Sequence, residues 1–213
     1  GCTPVTFRQL ALAGLVLDPA RLRVCADGAG LIAGPRVAGR LVAPRLSGRI
    51  GQSPVTLAAR SMGFAGTRLT LDQLAVRLGG PDRLSRLDVA RLTGDAAGDG
   101  LAGRYEGAEG EIGRVPLRLF DAAGGWRLAG GVLALQGAVR LADTANPPRF
   151  NALSAADFAL RLAGSDVRAS GTLVEPRSGA RVTRVTLTHD LSAGRGGAVL
   201  DVPEIRFGPT LQP

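Results

Sequence analysis

The sequence predicts an all-β protein of many short antiparallel strands with few or no helices, and three observations carry that prediction. First, apolar residues alternate with small or polar ones at period two, the pattern of strands with one apolar face. The alternation runs through Leu10 and Leu12, Leu22 and Val24, Leu69 and Leu71 followed by Leu74, Val76 and Leu78, and Val115, Leu117 and Leu119. It returns at Leu133, Leu135, Val139 and Leu141 around Gly137, then at Phe158, Leu160 and Leu162, at Val185 and Leu187, at Leu200 and Val202, and at Ile205 and Phe207. Second, turn-forming clusters punctuate these runs at hairpin spacing. They include Asp18-Pro19, Asp27-Gly28, Gly79-Gly80-Pro81, Gly98-Asp99-Gly100, Ala123-Gly124-Gly125, Asn146-Pro147-Pro148, Ser178-Gly179 and Gly194-Arg195-Gly196-Gly197. At that spacing the chain holds about 15 strands. Third, no evident helices are available to cover the apolar side. The resulting long apolar face must bury against a second sheet, close on itself, or receive an apolar ligand.

Two segments fit the helical period as well. Leu71, Leu74, Ala75 and Leu78 are spaced i, i+3, i+4, i+7 with Gly79 where a C-terminal cap would sit, and Asn151 is placed to cap a helix through Ala155, Ala156 and Ala159. Short runs do not separate the two periods, so both readings stand at these positions.

Composition sets the outer bounds. With 45% hydrophobic and 21% charged residues the chain is neither disordered nor a membrane span, and 213 residues suffice for one large domain or two small ones. The Asn-Pro-Pro turn marks a possible sub-boundary near 144–150. No apolar run approaches the roughly 20 residues that cross a bilayer. The chain opens at Gly1-Cys2-Thr3 and closes on Leu211-Gln212-Pro213, so it reads as a single internal segment, 1–213, of a longer chain.

The net charge of +8 raises the question of nucleic acid, but the basic residues do not have that arrangement. All 26 are Arg, which fits a coding preference, and they are dispersed from Arg8 to Arg195 with only 4% aromatics to stack on bases. Solvated strand faces and blunted sheet edges account for them. Weak attraction to anionic lipid surfaces stays open.

No constellation carries catalysis, a metal or a cofactor. Gly28-Ala29-Gly30-Leu31-Ile32-Ala33 has dinucleotide-loop spacing, but Pro35 and Gly39 interrupt the helix that would follow, and no acidic residue stands between Asp27 and Asp72. It reads as a glycine-rich turn. Asp95, Asp99, Glu106, Glu109 and Glu111 match no calcium loop and read as a solvated loop among glycines. His189, Asp190 and Ser192 lack the strained elbow and oxyanion site a nucleophile needs. His189 is expected at a strand end, and Trp126 at a strand start as a core or interface anchor. Cys2 and Cys25 form no zinc motif; they are either a disulfide in an oxidising compartment or two buried thiols.

Several phrases of the C-terminal third carry a family likeness. Arg149-Phe150-Asn151-Ala152-Leu153, Val185-Thr186-Leu187-Thr188-His189-Asp190-Leu191, Leu200-Asp201-Val202-Pro203 and the closing Phe207 to Pro213 resemble the YdbH-type intermembrane phospholipid transport proteins, part of the AsmA-like group that includes TamB. Gly110 to Leu117, followed by Trp126 and Gly130-Gly131, is similar to the same pattern. The resemblance implies an elongated, curved sheet whose apolar inner face is a groove for phospholipid, in a periplasmic protein anchored in the inner membrane. It implies no catalytic residue, which agrees with the absence of a metal, cofactor or nucleic-acid motif in the residues themselves. The implied partners are phospholipid, the remaining segments of the same long chain and an outer-membrane lipoprotein at the far end. Leu133, Leu135, Val139, Leu141, Phe158, Leu160, Leu162, Val185 and Leu187 are the candidate groove residues. The competing expectation is a structural or adhesive β-solenoid or β-sandwich segment with a closed apolar core.

Overall fold

The computed structural model of the chain describes residues 1–12, 14–26, 32–33, 36–113 and 115–202. The glycine-rich run at 28–31, the Ile205 to Phe207 alternation and the closing 207–213 stretch lie outside the described residues.

The period-two runs become strands. In order these are β1 (Cys2–Phe7), β2 (Leu10–Leu12), β3 (Leu15–Leu17), β4 (Ala20–Cys25), β5 (Ile32–Ala33), β6 (Arg36–Val42), β7 (Arg45–Ile50), β8 (Ser53–Ala58) and β9 (Ser61–Ala65). The second half holds β10 (Arg68–Leu78), β11 (Ser85–Ala97), β12 (Gly100–Glu111), β13 (Leu117–Ala129), β14 (Val132–Asp143), β15 (Leu153–Ala163), β16 (Asp166–Val174), β17 (Arg181–Asp190) and β18 (Arg195–Asp201). Both segments that also fit a helical period are strands, within β10 and β15. The one helical element among the described residues is a 3₁₀ turn at Pro81–Arg83.

Many of the short N-terminal strands are halves of longer ones. β10 pairs with β9 through Arg68–Asp72 and with β8 through Ala75–Leu78, so β8 and β9 together make one broken strand. β6 with β7, β3 with β4, and β1 with β2 are joined in the same way. Counting each broken pair once, the described residues form an antiparallel meander of thirteen rungs from β1/β2 to β18, with β5 adding only a two-residue hairpin against β6. At about 4.8 Å per rung the ladder extends about 58 Å. The central rungs, β10 to β15, run 11–13 residues each.

A crease crosses nearly every rung near its middle. In the early rungs it is the break itself, at Asp18-Pro19, at Ala43-Pro44 (Ala43 φ 48°) and at Ala59-Arg60, with Ala43 N–H bonded to the Arg60 carbonyl and Ala59 N–H to that of Pro44. In later rungs it is a single residue of positive φ, Gln73 (51°), Gly107 (59°) or Asp121 (52°), and the pairing slips beside it in β12, β13, β14 and β15. One extra residue at such a bulge inverts the alternation beyond it. Leu71 and Leu74 therefore point to the same side, as do Tyr105 and Ala108, or Ala155 and Phe158.

Three expectations are corrected here. Ala123-Gly124-Gly125 is the interior of β13, not a turn; β12 and β14 flank it, Gly124 pairing with Tyr105 and Gly137. Asp18-Pro19 breaks a rung without reversing it. Trp126 stands near the end of β13, not its start, because that strand already begins at Leu117.

Candidate functional site

The pairing register assigns every strand residue to one of two faces. One row passes through Leu41, Met62, Leu71, Leu92, Tyr105, Gly124, Gly137 and Phe158 on consecutive rungs. The row one residue over, on the other face, is Arg40, Gly63, Thr70, Thr93, Arg104, Gly125, Gln136 and Ala159. The division is complete for basic residues. Among the described strand side chains, every Arg falls in the second register, which we call the outer face. Asp143, at the end of β14, is the sole strand carboxylate in register with the first, inner face, where it pairs with Leu117.

The inner face is shielded but not covered. Val89, Tyr105, Ala108, Ala122, Trp126, Val139 and Ala155 form its buried centre, with Leu92, Leu133, Leu135, Leu141, Phe158 and Leu173 packed against them. Among the described residues no large side chain is fully buried, and no second sheet or helix packs on this face. The chain exposes 13633 Å², against roughly 9,300 Å² for a compact monomer of its mass. Partial burial comes from curvature. The turn at Gly14, on one rim, touches the turn at Gly164 on the other so closely that a Cβ at Gly14 would lie 2.4 Å from the Gly164 carbonyl oxygen. Ser53 Oγ donates to the Leu191 carbonyl at 3.5 Å beside that contact. The two rims therefore come together at these turns.

Two aromatic rings are held on the inner face. Trp126 Nε1–H donates to the Thr93 carbonyl two rungs away at 2.9 Å, and Gly94 makes room for it, since a Cβ there would sit 2.5 Å from the indole. Tyr105 lies the opposite way, its hydroxyl donating to the Gln136 carbonyl at 3.4 Å, and burial pushes its phenol above the ordinary value. With their polar atoms satisfied by backbone, the rings present apolar surface.

All nine candidate residues occupy this face. Leu135 pairs with Leu160, Leu133 with Leu162 and Gly137 with Phe158, while Val139 and Leu141 continue the row past the crease. Val185 and Leu187 join through Gly171 and Ala169 of β16. Sequence reasoning did not single out Leu17, Leu41 and Val55, buried on the same face at 5%, 6% and 2% exposure. Their runs are too short, and too interrupted by Gly and Pro, for alternation to stand out.

The remaining polar groups have structural work. Cys2 and Cys25 are opposite one another in β1 and β4 and joined, Sγ to Sγ, at 2.06 Å. The acidic cluster is not a loop: Asp95 is in β11 and Glu106, Glu109 and Glu111 in β12, because Gly94, Gly103 and Gly107 lie inside those strands. Asp95, Asp99 and Glu109 pair on the outer side with Arg68, Arg127 and Arg118. His189 lies near the end of β17 on the inner face, opposite Val167 and Gly196, so it faces away from Asp190. Asp190 caps the following turn; the Ser192 hydroxyl, then the Ala193 and Ser192 amides, hold its carboxyl down to about 2. Among the described residues no three potential metal ligands converge, and no helix is long and apolar enough to cross a membrane.

A family model described as YdbH-like, intermembrane phospholipid transport protein YdbH, matches residues 3–213. No curated protein and no solved structure matches the chain.

Proposed function

Because the chain belongs to the YdbH-like family of intermembrane phospholipid transport proteins, we propose that its inner face is a stretch of hydrophobic conduit along which phospholipid passes between the inner and outer membranes. The observation that carries this reading is the apolar face: thirteen described rungs deliver aliphatic and aromatic side chains to one side and every described strand arginine to the other, and no described element packs on the apolar side. Acyl chains gain about 0.8 kcal/mol per methylene buried there, while headgroups stay at the open side of the trough.

In this reading Leu133, Leu135, Val139, Leu141, Phe158, Leu160, Leu162, Val185 and Leu187 contact acyl chains, and Trp126 and Tyr105 form a smooth apolar floor beside them. The conduit is passive and needs no catalytic residue or cofactor. It works in the periplasm as one segment of a longer chain anchored in the inner membrane, its unpaired end strands continued by neighbouring segments and, at the far end, by an outer-membrane lipoprotein. The disulfide between Cys2 and Cys25 suits that compartment.

The test is the lipid content of the chain purified from an envelope fraction. Phospholipid extracted in stoichiometric amounts by mass spectrometry is the expected result. A lipid-free, monodisperse chain with the same β-sheet circular dichroism would favour a purely structural sheet.

A further inference from the structure

The arginines are spread along the chain, but the charge is not. Residues 1–71 contain nine Arg against Asp18 and Asp27, a net +7 of the total +8, while residues 72–213 carry 17 Arg against 16 acids. Ion pairing follows the same trend in part. From Arg68 onward, arginines 68, 77, 91, 118, 127, 140 and 149 each pair with a carboxylate, while Arg104, Arg161, Arg168 and Arg181 are exposed without an ion pair among the described residues. In the early rungs Arg21, Arg23, Arg40, Arg45 and Arg49 are exposed, share the outer face and have no carboxylate partner among the described residues. Arg21 and Arg23 stand two residues apart on β4; Arg40, Arg45 and Arg49 belong to the adjacent rung, β6/β7. Adjacent rungs are about 4.8 Å apart, so the five guanidinium groups line two neighbouring rungs, spread over about 30 Å from Arg40 to Arg49.

We propose that the outer face of the first four rungs docks on the anionic headgroups of a phospholipid bilayer, holding this end of the sheet at a membrane while the apolar face carries lipid. The choice of a bilayer as partner rests on the lipid-transport reading; the charged surface itself does not. Between the arginines stand small polar side chains such as Ser47, Thr56 and Ser61, with Val16 and the exposed Val42 as isolated aliphatics and no aromatic ring among the described residues. They offer neither the stacking aromatics of a nucleic-acid platform nor the apolar anchor of a protein interface. Planar guanidinium groups paired with diffuse phosphate charge need neither.

The experiment is flotation of the full chain with vesicles of phosphatidylcholine alone or with one-third phosphatidylglycerol. Flotation is expected only with the anionic vesicles, declining as salt is raised from about 50 mM to about 500 mM. The combined Arg21→Gln, Arg23→Gln, Arg45→Gln and Arg49→Gln variant should lose about fivefold in partitioning per arginine engaged. A control removing the same charge from later rungs, Arg104→Gln, Arg161→Gln, Arg168→Gln and Arg181→Gln, should stay within a few-fold of the parent. Equal binding to neutral vesicles, equal losses in both variants, or equally tight binding to duplex DNA would overturn the proposal. Acyl-chain loading, read with a fluorescent phospholipid, separates the two readings. A chain that floats but takes up no lipid refutes the conduit alone, and one that loads lipid but does not float refutes the docking alone.

Discussion

Replacing Leu135 by Asp separates an open apolar face from a closed core. Leu135 lies mid-rung on β14, paired with Trp126 on one side and Leu160 on the other, yet it is only partly buried. Full burial of a leucine is worth about 1.5–3 kcal/mol, so losing this partial burial costs about 1–2 kcal/mol. No cavity term is added, because solvent already reaches the site. For a chain of this length that is a fall in Tm of about 2–8 °C. Were the face roofed over, the carboxylate would be buried without a partner and the cost would rise to several kcal/mol, enough to unfold the chain. Gln136→Asp, one residue along and exposed on the outer face, should move Tm by no more than about 2 °C. Circular dichroism melting of both variants, beside uptake of a fluorescent phospholipid, makes the comparison. We expect Leu135→Asp to fold, melt slightly early and lose uptake, with Gln136→Asp like the parent. Unfolding confined to Leu135→Asp would refute an open face at this rung.

Three further outcomes follow from single contacts. Gly94→Ala should force Trp126 off the Thr93 carbonyl, costing about 1–3 kcal/mol by overpacking, and the emission of the sole tryptophan should shift; an unchanged spectrum would contradict the contact. Asp143 is held well below the usual carboxylate range first by the Arg149 side chain and then by the Ala145 and Arg149 amides. Its stabilisation is therefore complete above the unfolded-state value of about 4 and disappears as pH falls through the folded-state value. The Tm gap between the parent and Asp143→Asn should be constant above about pH 5 and shrink below about pH 4, and a gap independent of pH would contradict the assignment. Cys2 and Cys25 should both resist thiol reagents in unreduced native protein, and reduction should cost about 3 kcal/mol or less; labelling of both without reductant would disprove the bond.

The fold class was legible because period-two alternation survives wherever a rung is long, as at Leu133 to Leu141. What was not legible is the crease. Leu71 followed by Leu74 is a three-residue step within a strand, made by the bulge at Gln73, and the same step at Ala155 to Phe158 crosses the irregular pairing of β15. A three-residue step between apolar residues is also the helical spacing, so both sites fit a helix equally well. The crease hid the early rungs too, since breaking each into halves of three to seven residues left too few alternations to count. The glycines misled for a related reason. Gly124 and Gly125 read as turn residues and the glycines among the acidic residues as loop residues, yet Gly94, Gly103, Gly124 and Gly125 lie within strands, where Gly94 makes room for Trp126 from two rungs away. A local pattern cannot show which distant ring needs the space.

The most direct measurement of the central claim is site-specific photo-crosslinking in cells labelled with radioactive phosphate. A benzophenone side chain is placed at Leu92, Leu135 and Leu187 on the inner face, and at Thr93, Gln136 and Thr186 one residue along each strand. An apolar face that carries phospholipid predicts labelled lipid adducts at the first three positions and none at the second three. Equal labelling of both sets, or labelling of the outer set alone, would contradict it.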